Sequence, residues 1–301
     1  MHIPTSMLNG AICPVTAAVS VLGLGVAATV AKKNENKPSA AKFAAVTALM
    51  FALQMLNYPV QNGTSGHLVG ALLGVSLLGI PFAILSTAVV LAVQAVFFGD
   101  GGINALGANI LNMSLLGAGL GGVVYSALKA KKINKHVSLG IAAFFSVLIG
   151  AFACSLEVGI SGAVTFNKVL PAMLSVHALI GLGESLLTVA VVSVLSFYAA
   201  LWQEKEPQFA LGSFMLAGVA VTLSPFASGF PDGLEWVAQK LSFLEFGGFE
   251  ISAMFPDYQA GFITNAAAAT IFAGWAGIAL VYGLTWVIGK SLEQSKIKIS
   301  A

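Results

Sequence analysis

Polar positions in this chain are sparse enough to read as interruptions. Apolar runs of about 20 residues, the length that crosses roughly 30 Å of hydrocarbon, recur from end to end. Breaks at glycine, proline and charged clusters divide them into nine predicted transmembrane helices, at approximately 8–30, 41–57, 67–79, 81–98, 106–128, 137–157, 171–201, 209–227 and 262–288. The third is short and ends at Gly79-Ile80-Pro81, where glycine and proline specify a turn. The seventh is long, and Gly181 and Gly183 are candidates to split off its first turns. The expected fold class is an all-α polytopic membrane bundle.

Composition agrees with that pattern. Hydrophobic residues are 57% of 301 and charged residues 9%, with a mean hydropathy of +0.91; soluble domains carry about 25% charge. The 33 glycines suit the close helix contacts of membrane bundles. A lipid bilayer is the expected surrounding, and nucleic acid is not an expected partner.

All 14 basic residues are lysines, and their distribution orients the bundle. The first apolar run is preceded by no basic residue and followed by Lys32, Lys33, Lys37 and Lys42, the polarity of an uncleaved helix inserted amino terminus outward. Nine crossings then put those lysines, Lys129, Lys131, Lys132, Lys135, Lys205, Lys290, Lys296 and Lys298 on the cytoplasmic side, leaving Lys168 and Lys240 outside. The amino terminus is expected outside and the carboxyl terminus in the cytoplasm of a prokaryotic cell membrane. Cys13 lacks the small preceding residue of a lipoprotein site, and Cys13 and Cys154 define no disulfide framework.

Against this background the opening Met1-His2-Ile3-Pro4 stands out. The α-amine of Met1, the backbone nitrogen of His2 and the imidazole Nδ1 of His2 can close two chelate rings around a transition-metal ion, leaving one corner of a square open. Histidine is too large a second residue for removal of the initiator, so Met1 is expected to remain. Of the four histidines, His136 lies in a basic cytoplasmic loop, whereas His67 closes Asn62-Gly63-Thr64-Ser65-Gly66-His67 on the same side as His2. A histidine at a helix start is more often a packing residue than a ligand; its neighbour Gly66 permits close backbone approach.

Several segments carry a family resemblance. They are Met1-His2-Ile3-Pro4, Gly63-Thr64-Ser65-Gly66-His67-Leu68, the stretch from Gln94 to Asn112 with Phe98-Gly99-Asp100-Gly101-Gly102 and Ala105-Leu106-Gly107-Ala108-Asn109, and His177-Ala178-Leu179-Ile180-Gly181-Leu182-Gly183-Glu184. Together they resemble the CbiM/NikM family, substrate-binding membrane subunits of energy-coupling-factor transporters for cobalt and nickel. The resemblance covers residues 1–205, about seven helices. Residues 206–301 add two helices and an external loop with Pro231-Asp232-Gly233-Leu234-Glu235, which resembles the NikN-like accessory subunit, joined through a linker at Gln203-Glu204-Lys205-Glu206-Pro207.

The resemblance implies a metal held by Met1, His2 and His67 through four nitrogens in a plane. Thr5-Ser6 departs from the acidic residue and glycine common in the family at this place. A planar nitrogen set suits Ni(II) or Cu(II); nickel is the expected cargo and cobalt the alternative, with no resident cofactor. Binding is expected to release protons and to weaken as pH falls through the imidazole range.

Gln94, Asp100, Asn104, Asn109 and Asn112 are candidates to orient His2 or His67 from behind, or else to cap helices and bond across the bundle. His177 and Glu184, seven residues apart, share a helix face, and a glutamate in lipid is a functional candidate. They serve the site or tie the helix to the external loops. Ala40, Ala44 and Ala48 form a small-residue ridge for a partner helix or for internal packing. No phosphate loop and no acid, base or nucleophile constellation is present, so the chain reads as no enzyme. The resemblance implies a CbiQ/NikQ-like coupling subunit and CbiO/NikO-like ATPase subunits as partners. A secondary cation carrier is the competing class, and the lack of internal repeats speaks against it.

Overall fold

A computed structural model of the chain describes residues 1–201, 206–244 and 253–294. Lys205, Lys296, Lys298 and the linker residues Gln203, Glu204 and Lys205 lie outside the described residues. Among these residues, ten helices longer than a single 3-10 turn follow in order: α1 (Ile12–Lys33), α2 (Ala40–Gln54), α3 (Ala71–Leu78), α4 (Ile80–Phe98), α5 (Leu106–Ala130), α6 (Lys135–Ile160), α7 (Phe166–Leu201), α8 (Glu206–Leu223), α9 (Gly233–Lys240) and α10 (Ala266–Gln294). A small hairpin of β1 (Tyr58–Val60) and β2 (Thr64–Gly66) precedes α3.

Among the described residues, seven helices are long and apolar enough to cross a membrane: α1, α4 to α8 and α10. The two remaining predicted crossings fall on α2 and α3, which are shorter. Helix α2 has 15 residues and α3 only 8, about 22 and 12 Å at 1.5 Å per residue, both short of the hydrocarbon thickness. The predicted turn after α3 is present: Gly79 adopts φ 85, a left-handed value that favours glycine. The predicted split of the seventh helix is absent, and α7 runs unbroken for 36 residues.

Helix α1 turns Val15, Leu22 and Val26 outward, as a lipid-facing helix should. Its other face meets α5, where Ser20 Oγ donates to the Gly107 carbonyl at 2.7 Å. The opposite extreme is α2, almost wholly buried between α8 and α10. This places Ala40, Ala44 and Ala48 inside the chain, each no more than 1% exposed. The Ala40 N–H donates to Glu293 Oε1 at 2.7 Å, and Gly289 of α10 lies against Ala40. The proposed partner-helix ridge is thus used internally, the small side chains admitting a helix of the same protein.

Both segments of the chain build one end of the bundle. The Ser65 N–H donates to the Pro231 carbonyl at 2.8 Å and Ser65 Oγ to that of Phe230 at 2.8 Å; β2 forms a parallel bridge from Ser65 to Asp232. The Phe255 N–H donates to the Phe97 carbonyl at 2.9 Å. The loops of the carboxyl-terminal segment are thereby laced to the loops that carry His67 and Asp100.

Candidate metal centre

Residues 1–7 enter the bundle instead of trailing from it. Ile3 is fully buried, and Asn109 grips its backbone twice, accepting from the Ile3 N–H at 2.8 Å and donating to the Ile3 carbonyl at 3.1 Å. The Gly102 N–H donates to the same carbonyl at 2.8 Å. These bonds fix the direction in which His2 and Met1 project.

His67 is delivered by the β hairpin, whose Gly66 has no room for a side chain: a Cβ there would stand 3.0 Å from Ile180 and 3.1 Å from Tyr58. After His67 the chain is clamped by Glu184 on α7, which accepts from the Val69 N–H at 2.6 Å and the Gly70 N–H at 3.0 Å. Glu184 thus ties helix to loop. It is fully buried, and two backbone donors offset the cost of placing its carboxyl there.

The three predicted ligand residues converge. Met1, His2 and His67 are each 6–7% exposed, the Met1 nitrogen is 3.4 Å from His67 Nε2, and the imidazoles stack with centroids 5.2 Å apart and planes inclined by 19°. His67 Nδ1 lies 3.3 Å from the Leu68 carbonyl. With its proton donated there, Nε2 turns a lone pair toward the amine.

Two carboxylates hold these nitrogens. His2 Nδ1 lies 3.2 Å from Asp100 Oδ1. The Met1 ammonium donates to Asp232 Oδ2 at 2.5 Å, while Asp232 Oδ1 accepts from the Glu235 N–H at 2.8 Å as the N-cap of α9. One side chain thereby starts a helix and anchors the amino terminus. Asp100 is braced in turn: Tyr258 donates to Asp100 Oδ2 at 2.6 Å, Gln94 Nε2 donates to Tyr258 at 3.0 Å and to Gln54 Oε1 at 2.9 Å, and Gln54 donates to the Val69 carbonyl at 2.9 Å. The relay runs from His2 round to Val69, two residues after His67. Gln94 reaches it from the π-helical turn Gln94–Phe98 that ends α4.

Electrostatics follow from this packing. Burial lowers His67 to about 3, with the positive amine and His2 adding to the effect. Burial also lowers His2 against the pull of Asp100. For Met1, burial opposes the charge, yet the Asp232 carboxylate overcomes it and holds the amine above its ordinary value. Burial likewise opposes ionisation of Asp232, but the ammonium and its hydrogen bond keep that carboxyl well below the usual range. Both imidazoles are therefore neutral at neutral pH, and the amine carries the proton an incoming cation must displace.

Other predicted residues fall in different places. Asn104 is peripheral, donating to the Thr5 carbonyl at 3.4 Å. Asn112 points away, donating to Glu157 Oε2 at 2.6 Å. His177 Nδ1 bonds the Met173 carbonyl of its own helix at 2.9 Å. Asp232 and Tyr258 were not among the predicted site residues; Pro-Asp-Gly-Leu-Glu was visible as a motif, but its meeting with Met1 is a long-range contact.

Among the described residues, no group of three or more His, Cys, Asp or Glu side chains is arranged to hold an ion. The convergence here depends on main-chain nitrogens, which such a grouping omits. Beside it opens a cavity of about 520 Å³ whose lining includes His2, His67, Asp100, Asp232, Glu235 and Asp257. An acidic cavity leading to neutral imidazoles and an amine attracts cations and gives them nitrogen to bind.

Comparison with known proteins agrees in both halves. Residues 2–202 match a family described as the cobalt uptake substrate-specific transmembrane region, and residues 208–294 match the PDGLE domain. A chain of Archaeoglobus fulgidus, provisionally named fused nickel transport protein NikMN, is 34% identical over 96% of this chain and 98% of its own length. The fused nickel transport protein NikMN of Rhodobacter capsulatus is 28% identical over 93% and 95%. A solved structure of a truncated transition metal transporter superposes with a TM-score of 0.59 at 32% identity, covering 68% of this chain and all of that one.

Proposed function

This chain belongs to the family of cobalt uptake substrate-specific transmembrane regions, with a PDGLE domain fused behind it, and on that premise we propose that it is the metal-binding subunit of an energy-coupling-factor importer. Its cargo is Ni(II), with Co(II) the alternative, taken from the external side. The relatives named as nickel transport proteins support nickel; those named as cobalt transport proteins keep the alternative in view. A CbiQ/NikQ-like coupling subunit and CbiO/NikO-like ATPases supply the energy.

The observation that carries this reading is the burial of the Met1 amine 3.4 Å from Nε2 of His67, whose ring stacks on that of His2. In the loaded state the ion is held by the Met1 amine, the backbone nitrogen and Nδ1 of His2, and His67 Nε2. To reach it, the Met1 amine and the His2 backbone amide each release a proton, and His2 Nδ1, its proton moved to Nε2, turns from Asp100 to the ion. Asp232 and Asp100 stay close, where they balance the ion's charge and accept the remaining N–H groups. The amine and His67 Nε2, 3.4 Å apart, need little closing, since nitrogens on adjacent corners of a metal square stand about 2.8 Å apart.

X-ray absorption on the purified, nickel-loaded chain tests the ligand set; a shell containing sulfur, or six oxygens, rules it out. Uptake of radioactive nickel by cells with and without the ATPase subunits tests the energy source. Uptake that persists undiminished without them supports a secondary carrier instead.

A further inference from the structure

His177 has the bonding pattern of a metal ligand without a metal role in the site described so far. Its Nδ1 is engaged by the Met173 carbonyl at 2.9 Å, which accepts from Nδ1–H and leaves the lone pair on Nε2. A backbone carbonyl behind one ring nitrogen is the usual arrangement that orients the other toward a metal. The residue is 1% exposed, and Nε2 is buried with no hydrogen-bond partner. Buried polar atoms are seldom left so, and one that persists calls for an occupant.

The surroundings identify that occupant. His177 lines a small cavity of about 10 Å³ together with Met1, His67, Asp232, Gly233 and Ile180, room for roughly one water-sized particle. The acidic cavity is lined by His2, His67 and Asp232 but not by Met1. His67 and Asp232 therefore form the wall shared by the two cavities, with the nitrogen square between them. An ion that enters through the acidic cavity meets the square first and the His177 cavity behind it. Gly233 seats the PDGLE turn against the ring, since a Cβ there would stand 3.0 Å from His177 Cε1.

We propose that His177 Nε2 is a transfer ligand, the nitrogen that takes the divalent transition-metal ion from the Met1, His2 and His67 square as it leaves for the interior. This inference rests on the proposed function. Imidazole nitrogen is a suitable receiver for Ni(II) or Co(II), and a donor beside the square allows ligands to be exchanged one at a time, without a bare ion in an apolar bundle. Glu184, two turns further along α7, holds the segment after His67 in place through Val69 and Gly70 and takes no part in the transfer.

The test uses the complete transporter reconstituted in liposomes, with radioactive nickel as the probe. His177→Phe removes the lone pair and His177→Cys replaces it with another donor; thermal unfolding of each purified variant reports folding. The expected result is nickel affinity within about threefold of wild type for both, ATP-driven turnover at least tenfold lower in His177→Phe with KM unchanged, and substantial recovery in His177→Cys. Wild-type turnover in folded His177→Phe overturns the proposal. So does loss of equilibrium nickel binding in either folded variant, which makes His177 part of the resting site. If His177→Phe fails to fold, His177→Leu takes its place and is read the same way, and equal loss of turnover in the apolar and Cys variants, with binding intact, also overturns it. A wild-type chain that binds neither nickel nor cobalt overturns the function itself, separately from the role of His177.

Discussion

The α-amine of Met1 and the carboxylate of Asp232, 231 positions apart, meet at 2.5 Å. The contact binds the amino terminus to the PDGLE turn, and it gives the fused segment a direct hold on one of the proposed ligand nitrogens. Asp232 cannot be rotated away cheaply, because its other oxygen caps α9.

Removing that carboxylate should loosen the amine. Asp232→Asn keeps size and cap geometry but loses the charge, and we expect nickel affinity to fall by about 10- to 100-fold, the usual cost of removing a carboxylate behind a ligand. Competition against a chelator of known affinity measures it. An unchanged affinity sinks this assignment.

Lengthening the chain by one residue before Met1 should be far more damaging. His2 becomes the third residue, a second amide comes between the amine and the imidazole so that the chelate rearranges, and Asp232 is left facing an amide. Nickel uptake should be abolished while the helical circular dichroism signal stays. Uptake at the wild-type rate would show that the position of the amine relative to His2 does not matter to transport.

The acidity of the site sets a specific pH response. Burial lowers both imidazoles, His67 to about 3, so at neutral pH they have no protons to lose. The amine, held above its ordinary value by Asp232, does. Protons compete below a raised pKa, so affinity should climb steadily from about pH 6 to about pH 9 without a break near 6.5. This moves the proton competition expected of the imidazoles onto the amine and the coordinated amide. Calorimetry in buffers of different ionisation enthalpy reads the proton count, and a midpoint near 6.5 contradicts the assignment.

Tyr258 offers a milder probe of the other carboxylate. Tyr258→Phe deletes the 2.6 Å bond to Asp100 and leaves the ring stacked on Phe98 at 4.7 Å. Freed of its brace, Asp100 should orient His2 less firmly. A hydrogen bond to a charged group contributes about 1.5–3 kcal/mol, of which a part reaches the ion, so about a tenfold loss of affinity is expected with little change in thermal stability. Equal affinities for the two proteins would remove Tyr258 from the site.

Hydropathy alone determined that this is a helical membrane protein, because lipid admits few other spanning structures for apolar runs of this length. The sequence also nominated Met1, His2 and His67 as candidate ligands, since a chelate between adjacent residues is local and the chain has few histidines to complete it, and these three converge in the fold. Tertiary structure decided the rest. Whether an apolar run crosses or stops short depends on where its helix begins, as α3 shows with its 8 residues. Whether the ridge of Ala40, Ala44 and Ala48 meets a partner or its own chain depends on α10, more than 200 residues away. Asp232 and Tyr258 reach the site through long-range contacts that hydrophobic periodicity does not encode, because periodicity records which face of a helix is buried and not which distant loop will cover it.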